Sequence, residues 1–459
     1  MSGQSKKPTE RKILRLHSRD GAPVAAPEIP PPGELDARLT RELNAALSAG
    51  QPGQLLVFRI GNFELLVDTF GAEFGAAAED ALLKQLRGKL RKREPVQRLK
   101  AGEFVIVGRS IQSLNALQAM AARMVEGGSG HYEIEGVPCR LNIAIGAAAF
   151  PQDSKDPEEL LQYARFALGD AESEETNQLH SFSADRLAEQ KAAFIIEAEM
   201  EAALAEGRFK LQYQPQFTIG SRRISGVEAL ARLRTRDGRS IPPDEFIPVA
   251  ESNGFIVQLG RWVIQEACRQ LGEWRRNGVD IPRVSINLSP RQLTDPDLLG
   301  IFENAVSDND LRYGNIEVEI TERCIVEESR VTTELLHALR ARGIRIAIDD
   351  FGTGYSSFAY LAWQPLDMVK LDRSFLARAA GEMRIGAVIS GMISMAKDLG
   401  MDVIAEGVET DQQARFLQEH GCEYAQGFAL ARPQDPDRIP ELFTSAQGRA
   451  QQVSLTRAD

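Results

Sequence analysis

Cysteine is scarce in this chain: Cys139, Cys268, Cys324 and Cys422 are the only four in 459 residues, and they show no CxxC pair or thiolate-metal spacing. That scarcity excludes a disulfide-stapled scaffold, fits a reducing cytoplasm and leaves each thiol as a packing residue. Long apolar runs are missing too. No stretch reaches the ~20 uncharged residues that a membrane span requires. The basic opening MSGQSKKPTERKILRLHSRDG has no apolar segment behind it to make a secretory leader. Positive charge is also short. A net charge of −11 argues against a nucleic-acid polymer as partner. A small anionic ligand stays compatible if metal ions or a few arginines meet it locally.

What the chain does contain is ordinary globular material, 43% hydrophobic and 26% charged, on a length that suits two or three domains. Residues 1–38 turn from basic to proline-rich (APVAAPEIPPPGE) and carry too little apolar patterning to fold alone, so a disordered arm is expected. Residues 39–185 mix helical patterns (ELDARLTRELNAALSAG, AEDALLKQLRGKLRKR, PEELLQYARFALGDAES) with strands. The strands are QLLVFRI, a pair around Arg98–Val107 split at Lys100-Ala-Gly-Glu, and RLNIAIGAAAF, which together predict a smaller α/β domain. A helix over 186–207 is expected to link it to a second, larger domain.

From 208 to 443, β-rich runs alternate with amphipathic helices: KLQYQPQF, GVEALARL, RVSINLS, IEVEIT, RIAIDD, MVKLD, DVIAEGV and a weaker YAQGF. The alternation predicts parallel βα units, and the strand count and length favour a (βα)8-type barrel over an open sheet. Residues 444–459 are expected to form a flexible tail.

Several of these strands end on side chains that bind metal or phosphate: Glu228, Asn287, Glu319, Asp349 with Asp350, Lys370 and Glu406. Barrel enzymes place their active sites at the C-terminal strand ends, so these groups would meet at one mouth. Carboxylates gathered there cannot all stay ionised without cations. Oxygen ligands suit Mg²⁺ or Mn²⁺ rather than zinc. Two such ions ~4 Å apart would activate a water and stabilise an in-line phosphoryl displacement. Taken singly, each residue has a plainer explanation: a strand-end Glu is commonly solvated, Asn287 in SINLSP can cap a helix, and Lys370 would usually be exposed. Their recurrence at successive strand ends is what favours metal-assisted phosphoester hydrolysis. Asp349 and Asp350 would point to opposite faces of a regular strand unless a ligand drew both in. Asp350-Phe-Gly-Thr-Gly-Tyr-Ser-Ser357, with glycines flanking Thr353, reads as a mobile βα loop beside that site.

On these residues the chain from about 190 to 440 resembles the EAL-domain cyclic di-GMP phosphodiesterases. Glu228-Ala-Leu230, continuing to Arg232, is similar to the signature that names the family. The resemblance implies a modified barrel with one antiparallel strand. It also implies two divalent ions, Mg²⁺ or Mn²⁺, held by Glu228, Asn287, Glu319, Asp349, Asp350 and Glu406. Lys370 would orient the attacking water, so Lys370, Glu228 and Glu406 are the implied catalytic set. Arg232 would contact a substrate phosphate, and Gln214 (in Gln-Pro) and Gln426 (in Gln-Gly-Phe) would contact substrate. Glu322, with Thr353 and Gly354, would support the loop after Asp350.

Residues 39–185 resemble a GGDEF diguanylate cyclase domain that has lost its chemistry. Lys100-Ala-Gly-Glu-Phe104 follows Arg98-Leu99 where that family has GGDEF, so only Glu103 and Phe104 survive. Upstream, in FRIGNFELLVDTFGAEFG, Arg59 and Gly61 stand at two metal-binding aspartate positions. Val67 replaces a nucleotide-contacting Asn, and Ala76 replaces a further Asp. A cation and a glycine in place of two carboxylates remove the metal site for phosphoryl transfer. Arg91-Lys-Arg-Glu94 reads as a solvated charge run rather than an inhibitory site. The implied protein is a cytoplasmic homodimer that hydrolyses cyclic di-GMP to linear pGpG, with a regulatory or dimerising N-terminal domain open to an unidentified regulatory protein. The rivals are a non-catalytic cyclic di-GMP receptor, against which the retained ligands speak, and a bifunctional enzyme, against which the missing aspartates speak.

Overall fold

The computed structural model describes residues 35–90, 94, 96–173, 178–326, 330–352, 361–379 and 383–456. The arm expected at 1–38 falls almost wholly outside them, as do Arg91 to Arg93, Thr353, Gly354 and the loop on to Ser357. The chain divides into two units, Met1–Glu189 and Gln190–Asp459.

The first unit has strands β1 (Gly53–Ile60), β2 (Val96–Lys100), β3 (Glu103–Gly108), β4 (Gly130–Ile134), β5 (Val137–Leu141), β6 (Ile143–Phe150) and β7 (Leu179–Ser181). Five of them form one sheet in the order β2-β3-β1-β6-β7, antiparallel except at β6–β7. β4 and β5 pair separately as a hairpin. Both faces of the large sheet are covered. Leu56, Phe58, Phe104 and Ile106 join one apolar cluster, and Leu55, Val57, Val105 and Val107 join the other. Burial on both faces explains why LLVF and FVIV are unbroken apolar runs. The single strand expected from RLNIAIGAAAF is interrupted at Asn142, and β4, β7 and the helix Leu114–Gly128 were not among the expected elements.

The second unit has strands β8 (Phe209–Thr218), β9 (Ile224–Arg234), β10 (Ser240–Ile241), β11 (Val284–Leu288), β12 (Ile316–Thr321), β13 (Arg345–Phe351), β14 (Met368–Leu371), β15 (Asp402–Ala405) and β16 (Tyr424–Ala425). They run in the order β9-β11-β12-β13-β14-β15-β16-β8, and β8 pairs back onto β9, so the sheet closes into a barrel. β8 is antiparallel to both neighbours, and the other closing pairs are parallel. β10 is a short addition on β9.

Strand alternation sorts the barrel residues. In β12, Ile316, Val318 and Ile320 join the apolar cluster outside the barrel, which leaves Glu317, Glu319 and Thr321 on the inner face. The interior is layered in consequence. At the N-terminal end the wholly buried Glu317 accepts from Ser285 Oγ at 2.8 Å and Arg345 Nε at 3.1 Å, while Arg345 Nη2 donates to Asp402 at 2.6 Å. Ala347, Met368 and Ile404 make a small apolar layer. Two residues further along each of these strands come Asp349, Lys370 and Glu406.

The tail expected from 444 is corrected. Helix Ile439–Thr456 runs through it, and Phe443 and Ala446 pack with Ile439 against the barrel core. Their spacing follows one helical face, a pattern that the polar composition of the stretch disguised.

Replacing Glu317 with Ala should leave Ser285 Oγ and Arg345 Nε without their acceptor, while Asp402 still pairs Arg345, and should cost the barrel about 2 kcal/mol. All three tryptophans (Trp262, Trp274 and Trp363) lie in the second unit, so denaturation followed by tryptophan fluorescence measures the effect.

Candidate active site

Glu228 on β9, Asn287 on β11, Glu319 on β12, Asp349 on β13, Lys370 on β14 and Glu406 just past β15 share one rim. Lys370 is its centre. Only 1% exposed, it places Nζ 2.6 Å from Glu319 Oε2, 2.7 Å from Glu406 Oε1, 3.1 Å from Asp349 Oδ1 and 3.9 Å from Glu228 Oε1. A lysine at a strand end is usually solvated; closure of the barrel encloses this one among carboxylates. Asn287 Nδ2 donates to Glu228 Oε1 at 2.8 Å.

Gln426, and through it Gln214, is tied to Glu228. Gln426 Nε2 donates to Glu228 Oε2 and, at 3.1 Å, to Gln214 Oε1, while Gln214 Nε2 donates to the Ala431 carbonyl at 3.2 Å. Both are buried. Gln426 orients Glu228 directly, and Gln214 braces Gln426. Arg232 is half-buried, with Nε held by Gln212 Oε1 at 2.8 Å and Nη1 by the Ala231 carbonyl at 2.9 Å. Gln212 escaped the sequence reading; the antiparallel β8–β9 register sets it opposite Leu230, diagonal to Arg232 on the same face.

The adjacent aspartates are reconciled by the backbone itself. Pairing between β13 and β14 shifts register between Ile348 and Phe351, and Asp350 has φ +53°. That left-handed conformation costs a side-chain-bearing residue about 1–2 kcal/mol, and the bulge turns Asp350 toward the side of Asp349. Asp349, Asp350 and Glu406 thereby offer carboxylate oxygens all within 4.8 Å of one another. Glu322 Oε2 accepts from Gly352 N at 3.2 Å, just where the chain leaves β13. Asp372, also missed, follows β14 closely enough to push the Asp350 carboxyl up, after burial and Asp349.

Charge crowding sets the protonation of the rim. Burial lowers the tendency of Lys370 to stay charged, but Asp349, Glu228, Glu319 and Glu406 hold its ammonium well above the ordinary lysine range. Burial pushes Glu319 well above the usual carboxyl range, and it pushes Glu406 to about 8, in both cases with only partial relief from Lys370. Burial also opposes ionisation of Glu228, yet Lys370 and the amides of Gln426 and Asn287 outweigh it and keep this carboxyl low. Glu319 Oε1 is buried with no partner among the described residues. Hard divalent cations fit such an oxygen-rich donor set.

Residues 197–433 match the family model of the EAL domain, and residues 33–178 match that of the diguanylate cyclase GGDEF domain. The chain belongs to the EAL-domain family. A GGDEF domain precedes its EAL domain. The cyclic di-GMP phosphodiesterase NbdA of Pseudomonas aeruginosa is 32% identical over 374 residues, which cover 82% of this chain and 48% of that protein. The bifunctional diguanylate cyclase/cyclic di-GMP phosphodiesterase MucR of the same organism is 30% identical over 405 residues, covering 88% and 59% respectively. The chain thus spans about half the length of the curated relatives it matches. Among solved structures, a PaMucR phosphodiesterase in complex with c-di-GMP aligns with a TM-score of 0.51 at 35% identity, over 53% of this chain and 99% of that one. No helix among the described residues is long and apolar enough to cross a membrane.

In the GGDEF domain, Lys100-Ala-Gly-Glu-Phe104 forms the β2–β3 turn. Gly102 there has φ +74°, and a Cβ on it would lie 2.6 Å from the Phe63 ring. Glu103, wholly buried, meets Arg59 Nη2 at 2.6 Å, Arg165 Nε at 2.8 Å and Lys100 Nζ at 3.5 Å. Burial raises this carboxyl, but Arg59 and Arg165 more than reverse that and hold it below its usual range. Arg59 Nη1 also grips both oxygens of Glu172, at 3.0 and 3.1 Å. A cleft of about 840 Å³ opens alongside, lined in part by Arg59, Asn62, Val67, Asp68 and Lys100.

Divalent-ion binding in the EAL domain should release protons. With its carboxyl near 8, Glu406 is protonated at neutral pH before the ion arrives. The ion takes the carboxylate form, so apparent affinity should climb from about pH 6 to about pH 8 and level off above. Calorimetric titration with Mn²⁺ in buffers of differing ionisation enthalpy checks this, and an affinity flat across that range would contradict it.

Proposed function

We propose that the EAL domain hydrolyses one phosphodiester bond of cyclic di-GMP to give linear pGpG, and that the GGDEF domain makes no cyclic dinucleotide. The rim around Lys370 carries the first reading: its side chains converge at the strand ends of a domain whose relatives include a cyclic di-GMP phosphodiesterase. Two divalent cations, Mg²⁺ or Mn²⁺, would supply an activated water and neutralise charge developing on the phosphate. Glu228, Asn287, Glu319, Asp349, Asp350 and Glu406 are the residues to hold them. The clustered oxygens of Asp349, Asp350 and Glu406 and the unpartnered Glu319 Oε1 fit that donor set.

Lys370 orients the attacking water through an N–H. Arg232 holds a non-bridging phosphate oxygen. Asn287 and Gln426 fix the Glu228 carboxylate from both sides. Glu322 steadies Gly352 at the base of the segment carrying Thr353 and Gly354. The attack forms a new P–O bond and breaks the bond to a 3′ oxygen, which takes up a proton; opening one diester of the ring leaves pGpG.

The second half of the reading rests on Arg59. Its guanidinium stands at one of the two metal-aspartate positions and ties the neighbouring carboxylates of Glu103 and Glu172 into its own ion pairs. The GGDEF domain then serves as a regulatory or dimerising module of a cytoplasmic homodimer, reached by an unidentified regulatory protein or by the second copy.

Purified protein incubated with cyclic di-GMP and Mn²⁺ should yield pGpG by chromatography, and Glu228→Ala should lower turnover by more than about 100-fold, beyond the loss typical of a residue that merely orients a metal ligand. Tight binding without any pGpG would instead favour the receptor reading. Lys370→Ala should depress kcat more than substrate affinity. The same preparation given GTP and Mg²⁺ should form no cyclic dinucleotide, and its appearance would refute the reading of Arg59.

A further inference from the structure

Among the described residues, the salt bridges that reach Glu228, Glu319, Asp349 and Glu406 all come from Lys370. Its ammonium has three N–H donors, and three carboxylate oxygens stand within 3.1 Å of it. Of the four carboxyl groups, the nearby amides reach Glu228 alone: Asn287 and Gln426 donate to it. Arg232 is committed elsewhere, to Gln212 and the Ala231 carbonyl. Glu319, on the wholly buried side of the rim, therefore has Lys370 as its charge partner. Buried carboxylates left without a cation repel one another and resist desolvation, so without Lys370 the ionised members of the rim would force it open or keep it from folding.

We propose that Lys370 is the resident counter-ion of this rim: in protein without divalent ions its ammonium holds the four carboxyl groups together in the arrangement the ions need. This is a positioning role, exerted through the carboxylates, and it adds to any contact Lys370 makes with water during turnover. The chemistry suits lysine, a compact charge on a flexible stem that can give up oxygens when an ion takes them. An arginine fork bonded on two sides could not withdraw so readily. The proposal rests on the metal-binding reading of the rim, and its test is independent of hydrolysis.

Thermal unfolding of the full chain, followed by tryptophan fluorescence, isolates the barrel because every tryptophan lies in it. In EDTA, Lys370→Met should melt about 10 °C below the parent protein. Saturating Mn²⁺ should restore most of that loss, since the ion replaces the missing charge. A second substitution, Glu319→Gln in the Lys370→Met background, should restore it in EDTA by removing a charge instead. If Lys370→Met does not fold in EDTA, recovery of the double variant carries the same information. Equal melting of Lys370→Met and the parent in EDTA would overturn the proposal. So would a loss that either rescue fails to reverse, because lost packing of the lysine stem would not respond to charge. Turnover of the parent enzyme is measured separately, so failure of this proposal and failure of the hydrolase reading stay distinct.

Discussion

Carboxylates crowded inside a barrel need a cation within reach, and that electrostatic demand organises the second unit. Glu228, Glu319, Asp349 and Glu406 come from different strands, and the ammonium of Lys370 stands among them. The same demand is met separately at the other end of the barrel, where Glu317 and Asp402 face Arg345. Between the two lies an apolar layer of Ala347, Met368 and Ile404. The N-terminal layer sets its carboxylates against arginine, the rim sets several carboxyl groups around one ammonium, and the apolar layer keeps the two sets of hydrogen bonds apart. A barrel filled this way can carry charge inside without surrendering its packing, because its hydrophobic stabilisation comes from the outer faces of the strands under the helices.

The two units solve a related problem with different cations. In the GGDEF domain the buried Glu103 is gripped by Arg59 and Arg165, and Arg59 is tied on its other edge to Glu172. A guanidinium bonded on two edges is a fixed fork. In the EAL domain the cation is a lysine whose contacts are point-like. The difference follows from the side chains: a planar fork locks a cluster, and a single ammonium leaves Glu319 Oε1 without a partner among the described residues. Backbone geometry contributes as well. The bulge at Asp350 places two consecutive aspartates on one side, which no regular strand can do.

Much of this was legible in the sequence, and for a local reason. Strand runs such as IEVEIT and RIAIDD declare both their extended form and their two faces, so the eight closing strands of the barrel and the functional groups at their ends followed from pattern alone. The motif set around Glu228-Ala-Leu230 pointed to the family that the domain match then showed. The expected tail after 443 failed because a short apolar stripe, Ile439, Phe443 and Ala446, is hard to see in a polar stretch.

Sequence by itself determined which residues sit on each strand and which strand ends bear carboxylate, amide or ammonium groups, because alternation and turn chemistry act between near neighbours. Tertiary structure alone decided that Lys370 is buried, that Asp350 turns through a left-handed bulge, and that Gln426 and Gln214, 212 positions apart, hydrogen-bond each other beside Glu228. Those facts depend on closure of the sheet. Only when β8 pairs with both β9 and β16 do distant strands face a common interior, and only there does the desolvation of their charges dictate which partners they must find.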